Sequence, residues 1–264
     1  EAVDADAVVL ATGGLSVPAT GSDGAGLAMA RALGHAMHPT MAALTPLVDD
    51  ARTFADLAGV SLDVTIEAVA GKERLRTHGG FLFTHRGYSG PAVLNVSHLA
   101  VRACEDPAGP RPALLVQWTP LEAADWEAAL APRAAGVAGV LRRHLPLRLA
   151  EALLAEAGVP ADRSLAELRR EEKRRLVQAL ARFELPWTGH EGYRVAEVTS
   201  GGVALSEVDP RSMQSRRTPG LFLCGEVLDA FGPIGGFNFQ WAWATGRAAG
   251  LGARAAVASA DGSR

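Results

Sequence analysis

Three glycine-rich segments place backbone amides and one carboxylate where they could bind a polar ligand. They are Ala11-Thr12-Gly13-Gly14, Gly225-Glu226 and the loop 233–236. Glycine lets the backbone approach a ligand closely, and the free N–H groups at a helix start favour an anionic or electron-rich group. A carboxylate just after a strand is also where α/β folds hold the hydroxyls of a nucleotide cofactor. The alternative is an ordinary strand–loop–helix in which the glycines serve only tight turns.

The elements that would position these segments can be read from the flanking residues. A short apolar run at 221–224 is bounded by Pro219-Gly220 and Gly225, and another at 7–10 leads into the Gly13-Gly14 turn, so we predict a buried strand at each. An alanine-rich helix follows from about Asn238, and Asn238 itself suits the N-cap. Thr199, Gly201 and Gly202 mark a further strand end. Several close-approach points thus fall at strand ends of one α/β domain, although the G-x-G-x-x-G fingerprint of a dinucleotide site is absent from the sequence.

Composition narrows the class of protein. A chain of 264 residues with 48% hydrophobic and 21% charged residues is typical of a globular protein. The formal net charge of −3 gives no support to a nucleic-acid or membrane-surface partner. Cys104 and Cys224 lie far apart without metal-ligand spacing, so we predict no metal site. So few cysteines also suggest that the protein is located in the reducing cytoplasm. Arg247 and Arg254 interrupt the C-terminal apolar stretch, so no membrane span is expected.

The middle of the chain has a different pattern. Alternating apolar residues from Val60 to Ile66 predict a half-buried strand, and we predict a β-rich region over 47–118 and 184–193. A helical region over 119–183 contains two capping boxes, one from Thr119 and one from Ser164, the second opening a long helix. His85 lies in a polar, glycine-rich junction, where it could perform acid–base chemistry or simply stabilise a turn.

Five segments together resemble the BaiN/YhiN-like family of bacterial flavoproteins, and the resemblance extends over nearly the whole chain. They read ATGGLSVPATGSDGAGLAMARALGH, TPL at 45–47, LFTHRGYSGPAVLNVS, TSGGVALSEVD and GEVLDAFGPIGGFNFQWAWATGRAAG. That family is similar to FAD-binding oxidoreductases with two dinucleotide-binding domains. The resemblance therefore implies FAD as cofactor and NAD(P)H as its reductant.

The resemblance also assigns residues to parts of the flavin cofactor. It implies that Gly225 and Glu226 bind the ribityl or pyrophosphate region, and that Thr12, Gly13 and Gly14 form a strand end near the cofactor. Thr199, Gly201 and Gly202 would lie close to the isoalloxazine. The flavin pyrimidine edge would lie beside eight consecutive residues: Pro233, Ile234, Gly235, Gly236, Phe237, Asn238, Phe239 and Gln240.

The domain organisation follows from the same resemblance. We predict an α/β fold with an α+β insertion: a discontinuous, Rossmann-like FAD-binding domain over 1–46 and 194–264, interrupted by a β-barrel-like and helical insert domain over 47–193. The chain looks like the C-terminal two-thirds of such a flavoprotein. The expected partner is a missing N-terminal segment carrying G-x-G-x-x-G, without which we expect weak FAD binding.

The implied activity is hydride transfer from NAD(P)H through the flavin to a small organic acceptor, such as one with an activated C=C bond. One alternative is a flavin-dependent RNA-modifying enzyme, which the acidic net charge disfavours. Another is a non-catalytic, truncated fragment of a flavoprotein.

Overall fold

The computed structural model describes residues 3–131 and 135–261. The chain divides into two compact units, a discontinuous unit of Glu1–Thr45 and Glu191–Arg264 and an inserted unit of Pro46–His190. The strands, in chain order, are β1 (Val8–Leu10), β2 (Met37–Ala43), β3 (Leu47–Val48), β4 (Ser61–Ala70), β5 (Glu73–Phe83), β6 (Gly87–Ser89), β7 (Ala113–Gln117), β8 (Phe183–Glu184), β9 (Gly189–His190), β10 (Val198–Val203) and β11 (Leu221–Leu223). The α-helices are α1 (Ala25–Ala32), α2 (Pro91–Leu94), α3 (Ser97–Glu105), α4 (Ala123–Ala129), α5 (Val137–Leu141), α6 (Leu147–Glu156), α7 (Arg170–Ala181) and α8 (Phe237–Asp261).

Over its described residues, 3–45 and 191–261, the discontinuous unit contains two small sheets. Strands β1 and β11 pair in parallel, and β2 and β10 pair antiparallel. Leu10, Phe222 and Leu223 of the parallel pair are buried and belong to one apolar core with residues of α1 and α8. The two apolar runs that predict strands at 7–10 and 221–224 therefore form neighbouring strands, and the helix expected near Asn238 follows them.

The β2–β10 pair has an irregular register. Ser200 pairs with Met41, whereas Gly202 pairs with His38, so the ladder shifts at Gly201. Gly201 has a φ of 82°, and a Cβ built there would lie 2.0 Å from the Pro39 carbonyl oxygen. No side chain fits at that position without moving a backbone. Gly201 therefore serves the close packing of two strands.

The inserted unit is built around one seven-stranded sheet with the order β8-β7-β4-β5-β6-β3-β9. The expected barrel is not confirmed, because within residues 46–131 and 135–190 the two outer strands, β8 and β9, do not pair with each other. The alternation predicted in β4 is confirmed, since Val64 and Ile66 are buried and Ser61 and Asp63 are exposed. Phe81 and Phe83 of β5 and Tyr88 of β6 form a buried aromatic core together with Trp118, which follows β7.

Four helices, α4 to α7, form among the described residues of the region where the sequence predicts helices, but the starts of α4 and α7 differ from the prediction. Helix α4 is capped by Glu122 together with Asp125, not by Thr119. The Ser164 hydroxyl does bind the Glu167 carboxylate at 2.8 Å, yet α7 begins only at Arg170. The Arg169 amide instead donates to Glu172 at 2.9 Å, which fixes the helix start three residues after the expected box. Within the part of the chain that the structure describes, no helix has the length and apolarity needed to cross a membrane.

Candidate functional site

The candidate site lies where β1 and β11 end. In the parallel ladder Val8 pairs with Leu221 and Leu10 with Leu223, so both strands run out at the same edge. Parallel strands deliver their following loops side by side, which is where α/β folds bind ligands. The segment after β1 and the Gly225-Glu226 turn after β11 therefore become neighbours. This proximity follows from strand pairing, because the two segments are more than 200 residues apart in the chain.

A cavity of about 460 Å³ opens at this edge. Eight of the sixteen residues expected at the cofactor line it: Gly13, Gly225, Glu226, Ile234, Gly235, Gly236, Asn238 and Phe239. The volume falls within the roughly 300–1,000 Å³ of small-molecule sites. The structure thus brings together one strand end, one turn with a carboxylate and the start of α8.

The other eight expected cofactor residues do not line the cavity: Thr12, Gly14, Thr199, Gly201, Gly202, Pro233, Phe237 and Gln240. Some of them support its walls instead. A Cβ built on Gly26 of α1 would lie 1.8 Å from the Thr12 hydroxyl oxygen, so Thr12 packs directly on the helix. His85 belongs to the inserted unit, on an exposed turn next to β6.

Glu226 is held in place by the backbone amide of a buried residue, Thr199. Its Oε1 accepts a hydrogen bond from the Thr199 backbone N–H at 2.8 Å, and Thr199 is fully buried. The Thr199 hydroxyl in turn accepts from the Leu15 amide at 2.7 Å. A Cβ on Gly14 would lie 2.4 Å from the Thr199 hydroxyl oxygen and 2.5 Å from Glu226 Oε1. Thr199 therefore connects the Glu226 turn to the turn after β1, and Gly14 leaves the space that this connection needs.

Helix α8 fixes the backbone of Gly225 from the other side. The Gly225 N–H donates to the Thr245 hydroxyl at 2.9 Å, and the Gly225 carbonyl accepts from the Trp241 indole N–H at 3.2 Å. The Thr245 hydroxyl donates its own proton to the Trp241 carbonyl at 2.7 Å, which leaves its lone pairs for Gly225. Gly225 has a φ of 73°, a conformation that L-residues rarely adopt. The side chains of α8 thus define the conformation of the turn that carries Glu226.

The sequence suggested that Asn238 caps α8, but this prediction is wrong because the helix already begins at Phe237. Its side-chain amide instead forms two hydrogen bonds with Gly232: Oδ1 accepts from the Gly232 N–H at 2.7 Å, and Nδ2 donates to the Gly232 carbonyl at 3.0 Å. An amide side chain can satisfy both backbone groups of one residue, which a carboxylate or hydroxyl could not do as well. Asn238 therefore closes the loop that leads into α8.

Sequence reasoning missed seven residues that line the cavity: Ala11, Glu197, Val198, Cys224, Ala230, Trp241 and Ala242. Cys224 directly precedes Gly225, and Trp241 lies one helical turn after Phe237, so both positions could have been found from spacing. Burial raises the pKa of the Cys224 thiol, which makes it an apolar wall group at neutral pH. Glu197 gives the cavity a second carboxylate besides Glu226.

Replacing Thr245 with valine tests the attachment of Gly225 to α8. Valine has nearly the same shape but cannot accept the Gly225 N–H, so a buried donor is left unpaired. We expect the free energy of unfolding to fall by about 1–3 kcal/mol. Urea denaturation measures this value. Thr20→Val is the matched control, since the Thr20 hydroxyl bond is exposed and its loss should cost less than about 0.5 kcal/mol. If both variants lost the same free energy of unfolding, the Thr245 hydroxyl would not be what holds Gly225 against α8.

Comparison with known proteins places the chain among relatives. It is 36% identical over 254 residues to the ribosomal RNA dihydrouridine synthase of Escherichia coli (strain K12), covering 92% of this chain and 59% of that protein. It is 35% identical over 249 residues to the protein of the same name from Haemophilus influenzae (strain ATCC 51907 / DSM 11121 / KW20 / Rd), with the same coverage. It is 35% identical over 258 residues to the 3-dehydro-bile acid delta(4,6)-reductase of Clostridium scindens (strain ATCC 35704 / DSM 5676 / VPI 13733 / 19), covering 93% of this chain and 61% of that protein.

The chain thus spans about three-fifths of the length of these relatives. The family described as "HI0933-like protein Rossmann domain" matches residues 1–252, which is nearly the whole chain. The resemblance drawn from the sequence segments is confirmed, and the chain belongs to the HI0933-like Rossmann domain family.

Proposed function

We propose that this chain carries the flavin-facing part of an FAD-dependent oxidoreductase that reduces a C=C bond conjugated with a carbonyl group. The observation that carries the proposal is the convergence of three segments on one cavity: the end of β1, the Gly225-Glu226 turn and the start of α8. When bound, FAD would supply the redox chemistry, accepting a hydride from NAD(P)H and passing it to the acceptor. The protein would supply binding, orientation and electrostatics.

The residues around the cavity fit such a cofactor. Glu226 presents a carboxylate to the cavity and can accept hydrogen bonds from ribityl hydroxyls, while Thr199 holds the carboxylate in place. Gly236 has a φ of 87° with open space where a Cβ would be, so a flat ring system can approach its backbone. The first turn of α8 follows immediately, and its N–H groups favour negative charge at the adjacent edge of a bound ligand.

The nature of the acceptor is suggested by the chemistry shared among the relatives. Dihydrouridine is uridine whose ring C=C bond has been saturated, and a delta(4,6)-reductase acts on C=C bonds of a 3-oxo steroid. In both molecules the C=C bond is conjugated with a carbonyl group, which makes the distal carbon a hydride acceptor. The shared chemistry therefore supports reduction of an activated C=C bond, and a small-molecule acceptor such as that of the Clostridium scindens relative is the first candidate.

A second candidate is reduction of uridine within ribosomal RNA, and it is favoured by the names of two relatives. The net charge of −3 does not favour RNA binding by the chain as a whole. The two candidates differ in the acceptor whose addition would cause NAD(P)H to be oxidised. Reductase assays with a 3-oxo-4,6-diene steroid and with unmodified ribosomal RNA separate them. Oxidation of NAD(P)H in the presence of RNA but not of the steroid would favour the second candidate over the first.

Hydrogen–deuterium exchange with flavin fragments tests the cavity itself. We expect saturating FMN, which carries the isoalloxazine and ribityl groups, to slow exchange of the amides in 225–226 and 234–240. AMP should not do so, because these residues are assigned to the flavin half of the cofactor. Exchange measurements detect occupancy even when the affinity is low. If AMP but not FMN protected these amides, or if neither compound did, the result would contradict the proposed function and favour a non-catalytic fragment.

A further inference from the structure

We infer that a second cavity of the discontinuous unit binds a small, uncharged aromatic molecule, and that this ligand stabilises the Gly225-Glu226 turn of the candidate site. We call it the apolar cavity. It has a volume of about 290 Å³ and is lined by Leu205, Val208, Pro210, Met213, Trp241, Ala244, Thr245 and Ala248. All of these residues belong to the discontinuous unit. The inference does not depend on flavin binding.

Among the described residues that line the apolar cavity, no side chain is charged and only that of Thr245 is polar. The Thr245 hydroxyl donates to the Trp241 carbonyl at 2.7 Å and accepts from the Gly225 N–H at 2.9 Å, so it is already engaged within the protein. A charged ligand would lose its hydration here without gaining a partner, whereas an apolar ligand would not. An apolar cavity of about 150 Å³ is enough to bind benzene. The apolar cavity, at about 290 Å³, therefore has room for one or two aromatic rings.

One wall of the apolar cavity is a rigid turn. The Met213 N–H donates to the Asp209 carbonyl at 2.7 Å, and the Leu223 N–H of β11 donates to the Met213 carbonyl at 3.0 Å, which fixes the turn to the strand. A Cβ on Gly252 would lie 2.5 Å from the Ser212 carbonyl oxygen, so α8 packs directly against the turn. The cavity is therefore formed before any ligand binds, and binding has little ordering cost.

Met213 occupies an unusual backbone conformation for a large side chain. Its φ is 59°, in the left-handed region that only glycine, asparagine and aspartate visit readily. The side chain is 4% exposed and lines the cavity. A thioether side chain adapts to ligands of different shape and makes favourable contacts with aromatic rings. Backbone strain of this kind tends to accumulate at ligand sites, so Met213 supports a binding role for the cavity.

The apolar cavity is open to solvent on one side. Of its lining residues, Val208 and Thr245 are buried, whereas Leu205, Pro210 and Ala244 are exposed. The Leu205 side chain is 45% exposed. A ligand in the cavity would remove this apolar surface from water, which favours binding. The same opening lets a ligand enter without unfolding of the chain.

The apolar cavity and the candidate site share one side chain, because Trp241 lines both cavities. The Trp241 indole N–H donates to the Gly225 carbonyl at 3.2 Å, and the Thr245 hydroxyl accepts from the Gly225 N–H at 2.9 Å. A ligand that packs on Trp241 and Thr245 therefore binds the conformation in which α8 holds Gly225. Because a ligand stabilises the state that it binds, it should reduce local opening of the turn that carries Glu226.

NMR titration of the purified chain with toluene tests the site. The methyl signal of Met213 is followed in a chain labelled at the methionine methyl groups. Benzoate, which has the same ring with a negative charge, is the ligand control. We expect saturable shifts of the Met213 signal with toluene and not with benzoate.

Ala244→Leu places a larger side chain in the cavity and should weaken toluene binding about 10-fold or more. Ala255→Leu is the matched control, because Ala255 is an exposed alanine of α8 that does not line the cavity. It should leave toluene binding within about 2-fold of the unaltered chain. Leu205→Ala, a change at an exposed position, removes part of the wall and should weaken toluene binding about 3-fold or more.

Hydrogen exchange of the Gly225 amide tests the effect on the turn. With toluene at about ten times its Kd, exchange through openings that destroy the cavity should slow about 10-fold, because the ligand stabilises the closed state by mass action. Ala244→Leu should abolish this slowing, and Ala255→Leu should retain it.

Shifts that do not saturate, or that benzoate reproduces, would overturn the inference. Equal binding of toluene by the two leucine variants, undiminished binding by Leu205→Ala, or unchanged Gly225 exchange at saturating toluene would do the same. A Met213 signal that depends on protein concentration without toluene would instead assign the cavity to an interface between copies of the chain. No flavin is present in these measurements, so their failure would leave the proposed function standing.

Discussion

Gly201→Ala is expected to lower the free energy of unfolding by about 2–5 kcal/mol. A Cβ at this position would lie 2.0 Å from the Pro39 carbonyl oxygen and 2.7 Å from the Pro39 carbonyl carbon, both backbone atoms of the paired strand β2. Relieving the overlap requires the two strands to separate locally, which costs about 1–3 kcal/mol. The left-handed backbone adds about 1–2 kcal/mol for any residue other than glycine.

Gly21→Ala is the control that separates these two costs. Gly21 has a φ of 97° in the same unit, and no atom lies within 4 Å of a Cβ built there. This variant should lose only the backbone cost of about 1–2 kcal/mol. Urea denaturation of both variants, with hydrogen exchange along β2 and β10, measures the difference. Equal stability of the two variants would mean that β2 and β10 are not packed at this point.

The strands that carry the site could be predicted from the sequence, but their pairing could not. The apolar runs at 7–10 and 221–224 carry a local signal, because short apolar runs near glycines form strands. The expected burial holds for all of β11 but only for Leu10 of β1, since Val8 and Val9 are exposed. Their parallel pairing is not visible in either run, since it depends on contacts across more than 200 residues. The family resemblance assigned both runs to one discontinuous domain, but their pairing is seen only in the structure.

Other features depend on atoms that sequence patterns do not position. Gly201 and Gly202 are predicted to lie close to a flavin, and each is also in close contact with protein backbone: a Cβ at Gly202 would meet the Val227 carbonyl oxygen at 2.6 Å. A glycine motif cannot tell whether the neighbour is a ligand or another backbone. The capping box at Ser164 forms its side-chain bond without starting a helix, because Arg169 and Glu172 provide a competing start. Local capping signals are weak compared with tertiary packing.

Glu226→Ala is expected to have the largest effect on the candidate site, because Glu226 has two roles. It accepts the N–H of the buried Thr199, and its carboxylate lines the cavity. Alanine leaves the Thr199 donor without a partner, which should lower the free energy of unfolding by about 1–3 kcal/mol. It also removes the group proposed to bind ribityl hydroxyls. Loss of charge-assisted bonds worth about 1.5–3 kcal/mol should weaken FMN binding by about 10- to 150-fold.

Glu226→Gln separates the two roles, since its amide oxygen can still accept the Thr199 N–H while the charge is lost. We expect this variant to retain stability within about 1 kcal/mol of the unaltered chain but to bind FMN about 10-fold more weakly, because a neutral acceptor forms a weaker hydrogen bond. Urea denaturation and FMN titration give the two values. If Glu226→Gln bound FMN as tightly as the unaltered chain, Glu226 would be a purely structural residue of the turn. If it were as unstable as Glu226→Ala, its bond to Thr199 would depend on the charge.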